Sequence, residues 1–326
     1  MLSFRFWIIL AAVVHLVAPV RASESAWRPA QPVRVIVPFQ AGGPIDAIAR
    51  IVSQQLGDRW SQSFIIENRT GAAGNTGSDV VARAKPDGLT LGLASAGTHG
   101  ANVTLFGKLM PYDPVRDFEP ITLLVRMKNV LVVHPSLKVR NLEELIAKAK
   151  QSPDPLTFGS AGAGTVQHLT GEMFKVATGL KLTHVTYRGQ AQALPDLLAG
   201  RISMMFLGAG EAVEHIRSGA LVPIGISSTE RSSRLPDVAP LSEQGLSGFN
   251  AVTWFGLVAP AGTPKPTIDA YHDEVVAVLQ RDDVKARLEG MGLEITTITP
   301  TEFREFIAGE VKKWGDVVTA TGIKIE

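Results

Sequence analysis

Two glycine-rich segments sit where an apolar strand gives way to a helical pattern, and both suit the capture of an anion. Pro38-Phe39-Gln40-Ala41-Gly42-Gly43-Pro44 follows the β-branched run Val33-Arg34-Val35-Ile36-Val37. Gly42 and Gly43 let a backbone approach a ligand, and Pro44 suits a first helical turn. Exposed N–H groups at that turn, together with the helix dipole, favour negative charge. Asp46 lies near the same helix start, where a carboxylate either caps the turn or reaches a ligand. The second segment, Gly159-Ser160-Ala161-Gly162-Ala163-Gly164-Thr165, offers the same physics with two hydroxyls added. Thr165 reads as an N-cap, a role compatible with ligand contact. Neither segment carries the Gly-Lys-Ser/Thr of a phosphate loop or the GxGxxG spacing of a dinucleotide site.

Other chemistry is poorly represented. No G-x-S-x-G elbow and no H-E-x-x-H occurs, and the seven histidines have no metal-ligand spacing. His99 and His168 each follow a glycine-rich turn and are candidates to face a cleft, and Tyr187 lies at a strand end. With no cysteine in the chain, disulfides, thiolate metal sites and cysteine nucleophiles are excluded. The expectation is therefore no catalytic residue, no metal and no cofactor. Lys plus Arg total 32 against 31 Asp plus Glu, so no basic excess exists to neutralise a phosphate backbone, and nucleic acid is not an expected partner.

The elements that position these loops alternate. Strands at 33–37, 64–67 and 89–94 are separated by helices from Ile45 to Leu56 and from about Asn75 to Ala84. A β-α-β-α-β run of this kind implies a parallel sheet covered by helices, with ligands at the carboxyl ends of its strands. That singles out the loops 38–46, 68–77 and 95–100. A long apolar stretch, Leu123–Val133, predicts a strand crossing to a second unit, where helix 142–150, strand 156–160, helix from 165, strand 182–187, helix 191–199 and strand 202–207 repeat the pattern. Phe249–Pro260 predicts the return crossing, followed by helical segments and a last helix over 301–318. At 326 residues, two domains are expected.

The first 22 residues read as a secretory signal. Arg5 is the charged start, Phe6 to Val20 contains His15 as its one polar residue, and Val20-Arg21-Ala22 offers small residues for cleavage. The run is short against the ~20 residues of a spanning helix. Cleavage after Ala22 removes Arg5 and Arg21 and no acid, leaving 30 basic against 31 acidic residues. A soluble, periplasmic, monomeric protein is expected.

The chain resembles the Bug or TctC type of periplasmic solute-binding protein that serves tripartite tricarboxylate transporters. The resemblance rests on PFQAGGPIDAIAR (38–50), ENRTGAAGNTG (67–77), KPDGLTL (85–91), SAGTHGAN (95–102), YDPVRDFEPIT (112–122), FGSAGAGTVQHLTGEMF (158–174), YRGQAQALPDLLAGRI (187–202) and WFGLVAPAGTPK (254–265), in family order. It implies a type II-like Venus flytrap: two α/β domains, 23–125 with 250–326 and 126–249, joined by crossing strands with a hinge near 121–131 and 249–258. It also implies a small mono-, di- or tricarboxylate held chiefly by backbone amides, hydroxyls and waters, and membrane permease subunits as partners. Carried over, the first-domain contacts fall on Phe39, Ala41, Gly42, Gly43, Asp46, Ser95 and Thr98. Those of the second domain fall on Ser160, Gly164, Thr165, His168 and Tyr187. Many relatives carry an Asp where this chain has Leu207, which makes an amino-acid ligand less expected and a plain or partly apolar carboxylate more so. A sensing subunit, or an exported enzyme on the same scaffold, are the alternative readings.

Overall fold

The computed structural model describes residues 27–187 and 189–323. The expected export signal at 1–22 lies outside the described residues. The strands are β1 (Val33–Val37), β2 (Phe64–Asn68), β3 (Thr90–Ser95), β4 (Phe118–Val133), β5 (Leu156–Ser160), β6 (Leu182–Thr186), β7 (Met204–Gly208), β8 (Val222–Ile226), β9 (Val252–Pro260) and β10 (Glu294–Ile295). The α-helices are α1 (Pro44–Trp60), α2 (Asn75–Ala82), α3 (Asn102–Phe106), α4 (Leu142–Gln151), α5 (Val166–Thr178), α6 (Gln190–Leu198), α7 (Ala209–Arg217), α8 (Lys265–Leu279), α9 (Asp282–Gly290) and α10 (Pro300–Thr321).

Strand order is β2-β1-β3-β9-β4-β7-β5-β6, with β8 and β10 also pairing β4. Two lobes share this sheet because β4 belongs to both. Its residues from Phe118 to Lys128 pair antiparallel with β9, whereas Asn129 to Val133 pair with β7. The change of partner falls between Lys128 and Asn129. Within each lobe the remaining central strands run parallel: β1 with β2 and β3, and β5 with β6 and β7. Their carboxyl ends deliver the chain into the loops that precede α1, α2, α5, α6 and α7.

Local sequence accounts for these elements. In β1, Val33, Val35 and Val37 pack on the face covered by α1, whose Ile45, Ile48, Val52 and Leu56 recur at helical spacing and are buried. Each such side chain contributes about 1.5–3 kcal/mol on burial. Asn141 caps α4 by accepting from Glu144 N, and Thr299 opens α10 with a full capping box to Glu302. In the second lobe, β7 alternates Met204 and Phe206 toward one core cluster with Met205 and Leu207 toward another.

Candidate functional site

The loops at the strand ends of the two lobes touch. A Cβ built on Gly164 would lie 3.6 Å from Ala73 Cβ, 3.5 Å from Leu105 Cδ1 and 3.7 Å from Asn102 Oδ1, and one on Gly97 would lie 3.8 Å from the Gly164 carbonyl. The segment 160–165 of the second lobe is thus seated on 73 and 97–105 of the first. Gly74 has φ 93° and packs so tightly that a Cβ would meet Thr98 Cγ2 at 2.7 Å and Phe39 Cζ at 3.0 Å. Only glycine permits these three loops to converge.

In the first loop, Asn68 Nδ2 donates to the Phe39 carbonyl at 3.0 Å and to Asp46 Oδ1 at 2.9 Å. Asp46 Oδ2 accepts from Gly42 N at 3.0 Å and Arg50 Nε at 2.9 Å. Burial pushes this carboxyl up, but Arg50, the Gly42 N–H and Asn68 together hold it below its ordinary value. Asp46 is therefore spent on shaping the loop around Gly42. Ser95 and Thr98 form a buried pair, Oγ to Oγ1 3.1 Å, and Thr98 Oγ1 lies 3.0 Å from His99 Nδ1. Behind them, Tyr112 OH donates to the Thr98 carbonyl at 2.8 Å and to Asn75 Oδ1 at 3.0 Å. Asn102 Nδ2 donates to the same Asn75 oxygen at 2.6 Å and to the Ala73 carbonyl at 3.1 Å.

In the second lobe, His168 Nδ1 accepts from Gly164 N at 3.1 Å, which fixes this nitrogen as unprotonated. Its ring stacks on His184 with centroids 3.9 Å apart. Burial lowers both imidazoles to about 4, so both are neutral at neutral pH. Ser160 Oγ lies 2.7 Å from His184 Nε2, the separation of a nucleophile and its base. Yet Ser160 is 0% exposed, donates its own proton to the Gly162 carbonyl at 3.1 Å and accepts from Gly162 N. The hydroxyl is thereby tied both to the imidazole and to its own loop, and the pair clamps that loop. Thr165 Oγ1 donates to the Gly162 carbonyl at 2.7 Å and caps α5. Tyr187 OH donates to Asp196 Oδ2 at 2.8 Å, while its backbone N–H joins the Ser160 carbonyl. Burial and Asp196 push that phenol up to about 12. Leu207, 0% exposed, lies in the second-lobe core with Val130, Ile202 and Val213.

The structure thus brings Phe39, Ser95, Thr98, Ser160, Gly164, Thr165 and His168 to one junction, with Ala41, Gly42, Gly43 and Asp46 on the loop that leads from it into α1. Tyr187 borders it through its backbone, and Leu207 stands behind it. Ala73, Asn75, Asn102 and His184 join the constellation without having been singled out from sequence. Loop 68–77 had been marked by its position after a strand, but polar amides in a glycine-rich run carry no spacing signature.

Backbone donors remain. The N-caps of α1, α2, α6 and α7 are Gly43, Gly74, Gly189 and Gly208, and none makes a side-chain cap. A helix start has up to four N–H groups without an intrahelical partner, and at α1, α6 and α7 no side-chain cap takes them up, whereas at α2 the N–H groups of Gly74, Asn75 and Thr76 already bond the Gly71 and Ala72 carbonyls.

Comparison with known proteins agrees with this geometry. Residues 48–323 match the family described as tripartite tricarboxylate transporter family receptor. The chain is 34% identical over 318 residues to BugT of Bordetella pertussis, covering 98% of this chain and 97% of that one. Among solved structures, Rpa4515 of R. palustris with adipate is 32% identical with a TM-score of 0.82, covering 91% of this chain and 99% of that one. MatC of Rhodopseudomonas palustris with bound malate is 33% identical with a TM-score of 0.80, covering 89% and 100%.

Proposed function

The chain belongs to the tripartite tricarboxylate transporter receptor family, and from that premise we propose that it is a periplasmic receptor that closes its two lobes on a small organic carboxylate. The observation that carries this reading is the set of helix starts without side-chain caps, α1 from one lobe and α6 and α7 from the other. Each presents N–H donors and a positive dipole end to the region between the lobes. Ser160, Asp46, His168 and Thr165 hold the loops that aim these donors. Adipate and malate, bound by two relatives, mark the size and charge that suit such a site.

The domain division follows β4 and β9. Among the described residues one lobe takes 27–128 and 252–323 and the other 129–251, which moves the expected boundaries at 125/126 and 249/250 to where β4 and β9 change partners, and the hinge lies where both strands cross. Closure creates a surface shared by the two lobes, which the permease subunits read. The protein works as a monomer and releases its ligand unchanged. Turnover on this scaffold requires an activated nucleophile that substrate can reach, and Ser160 is fully buried.

A thermal-shift panel of mono-, di- and tricarboxylates tests the proposal. A ligand at 100 times its Kd stabilises the native state by ~2.7 kcal/mol, a rise of several degrees. A flat carboxylate panel beside a clear shift with a cationic or neutral solute contradicts it.

A further inference from the structure

Glu211 stands in the first turn of α7, four residues beyond Leu207. Leu207 is buried in the core, so the carboxylate offered by this region is the one on Glu211. Its neighbours come from both lobes. The Gln190 amide, at the start of α6, donates to Glu211 Oε2, and Gln167 Nε2 in the first turn of α5 donates to Gln190 Oε1 at 3.1 Å. A chain of polar side chains therefore links the starts of the three second-lobe helices that follow β5, β6 and β7. The first lobe closes the other side. A Cβ on Gly210 would lie 2.6 Å from Gly292 Cα and from the Met291 carbonyl, so the start of α7 is seated on the turn before β10. Glu211 is open to solvent, and the surrounding protein raises its carboxyl above the ordinary value.

We infer that Glu211 selects the ligand: its Oε1, which accepts from no side chain among the described residues, takes a hydrogen bond from a donor on the carboxylate that the helix starts hold. The favoured ligand is then a carboxylate bearing a hydroxyl or an ammonium group, and a plain dicarboxylate is disfavoured because it presents only acceptors to another acceptor. This rests on the carboxylate-receptor reading above and adds to it the chemistry of the second group.

Two matched series test it by calorimetric titration of the signal-free protein: succinate, malate and aspartate, then glutarate, 2-hydroxyglutarate and glutamate. In the wild type, a hydroxy- or amino-acid is expected to bind about tenfold or more tighter than the plain diacid of its series, the value of one hydrogen bond to a charged group. Glu211→Ala brings the ratio close to one. Glu211→Gln separates the two donors: a neutral acceptor keeps part of a hydroxyl preference and loses an ammonium preference. Melting curves show that both variants fold, as expected for an exposed position. Ratios unchanged in both variants, or a plain diacid binding tightest to the wild type, overturn the assignment while the receptor reading stands. If none of the six binds while another carboxylate of the thermal-shift panel does, this inference is overturned and the receptor reading stands; if no carboxylate of that panel binds either, both fail.

Discussion

The Thr165 hydroxyl and the Gly162 carbonyl, 2.7 Å apart, close the second-lobe loop on itself, and His168 N donates to the same hydroxyl at 3.4 Å. The Thr165 proton is thereby committed within the chain. Thr165→Ala is expected to cost ~1 kcal/mol of stability, as for loss of an N-cap, with affinity nearly intact. Urea denaturation and calorimetry read the two effects separately. A loss of affinity of about tenfold or more, the signature of a lost bond to a carboxylate, reassigns Thr165 to direct contact.

Asp46 gathers Gly42 N, Arg50 and Asn68, and its side chain is nearly inaccessible. Asp46→Ala leaves these donors without an acceptor and is expected to cost about 1–3 kcal/mol. Affinity falls as well, because the loop before α1 loses its anchor. Its carboxyl lies below its ordinary value, so this contribution is present above that value and is lost as pH falls through the folded one. Retained affinity in a destabilised Asp46→Ala protein separates the loop from the site.

Three histidines predict an acid sensitivity. Burial lowers His168 and His184 from 6.5 to about 4 and His99 to about 3. Lys175 adds to the effect on the first two, while Glu172 opposes it at His184. The unfolded chain therefore binds protons near pH 6.5 that the folded chain does not, and stability declines as pH falls from 6.5 toward 4. His184→Asn is expected to make that decline shallower in a denaturation series. A stability flat between pH 6.5 and 4.5 contradicts neutral, buried imidazoles.

Much of the scaffold is legible in the sequence because strong local signals agree with the fold. Val33–Val37 is β-branched throughout, Asn141 and Thr165 are good caps, and the apolar run ending at Val133 is long enough to cross both lobes. β4 starts earlier than expected, at Phe118, because Pro120 and the irregular pairing that follows it are tolerated at a bulge. β8 and α7 are hard to see for a different reason. Val222-Pro223-Ile224-Gly225-Ile226 looks broken, yet the pairing with β4 skips Ile224 beside Pro223, and Gly225 lets Leu241 and Gln244 pack close, where a Cβ would meet Leu241 Cδ2 at 2.6 Å. Gly208-Ala209-Gly210 looks like a loop, yet Gly210 serves the contact with Gly292. In the site, spacing identifies the loops but not the direction of their side chains. Ser160, Asp46, His168 and Tyr187 turn to partners brought from other elements or from the far side of their own loop, and only the fold supplies those partners.

The central claim is that a carboxylate is held by helix starts without side-chain caps, and Gly43→Asp tests it most directly. Gly43 is extended, with φ −82° and ψ 170°, and a Cβ there meets only the Gln40 carbonyl at 4.0 Å. Aspartate therefore fits as an N-cap and is expected to change stability by only a few tenths of a kcal/mol, in the favourable direction. Its carboxylate occupies the first-turn N–H groups of α1 and repels an anion. Titrating the tightest carboxylate of the panel into wild type and variant side by side, the account predicts a melting temperature equal or higher and an affinity lower by about tenfold or more. An unchanged affinity in the folded variant would contradict it.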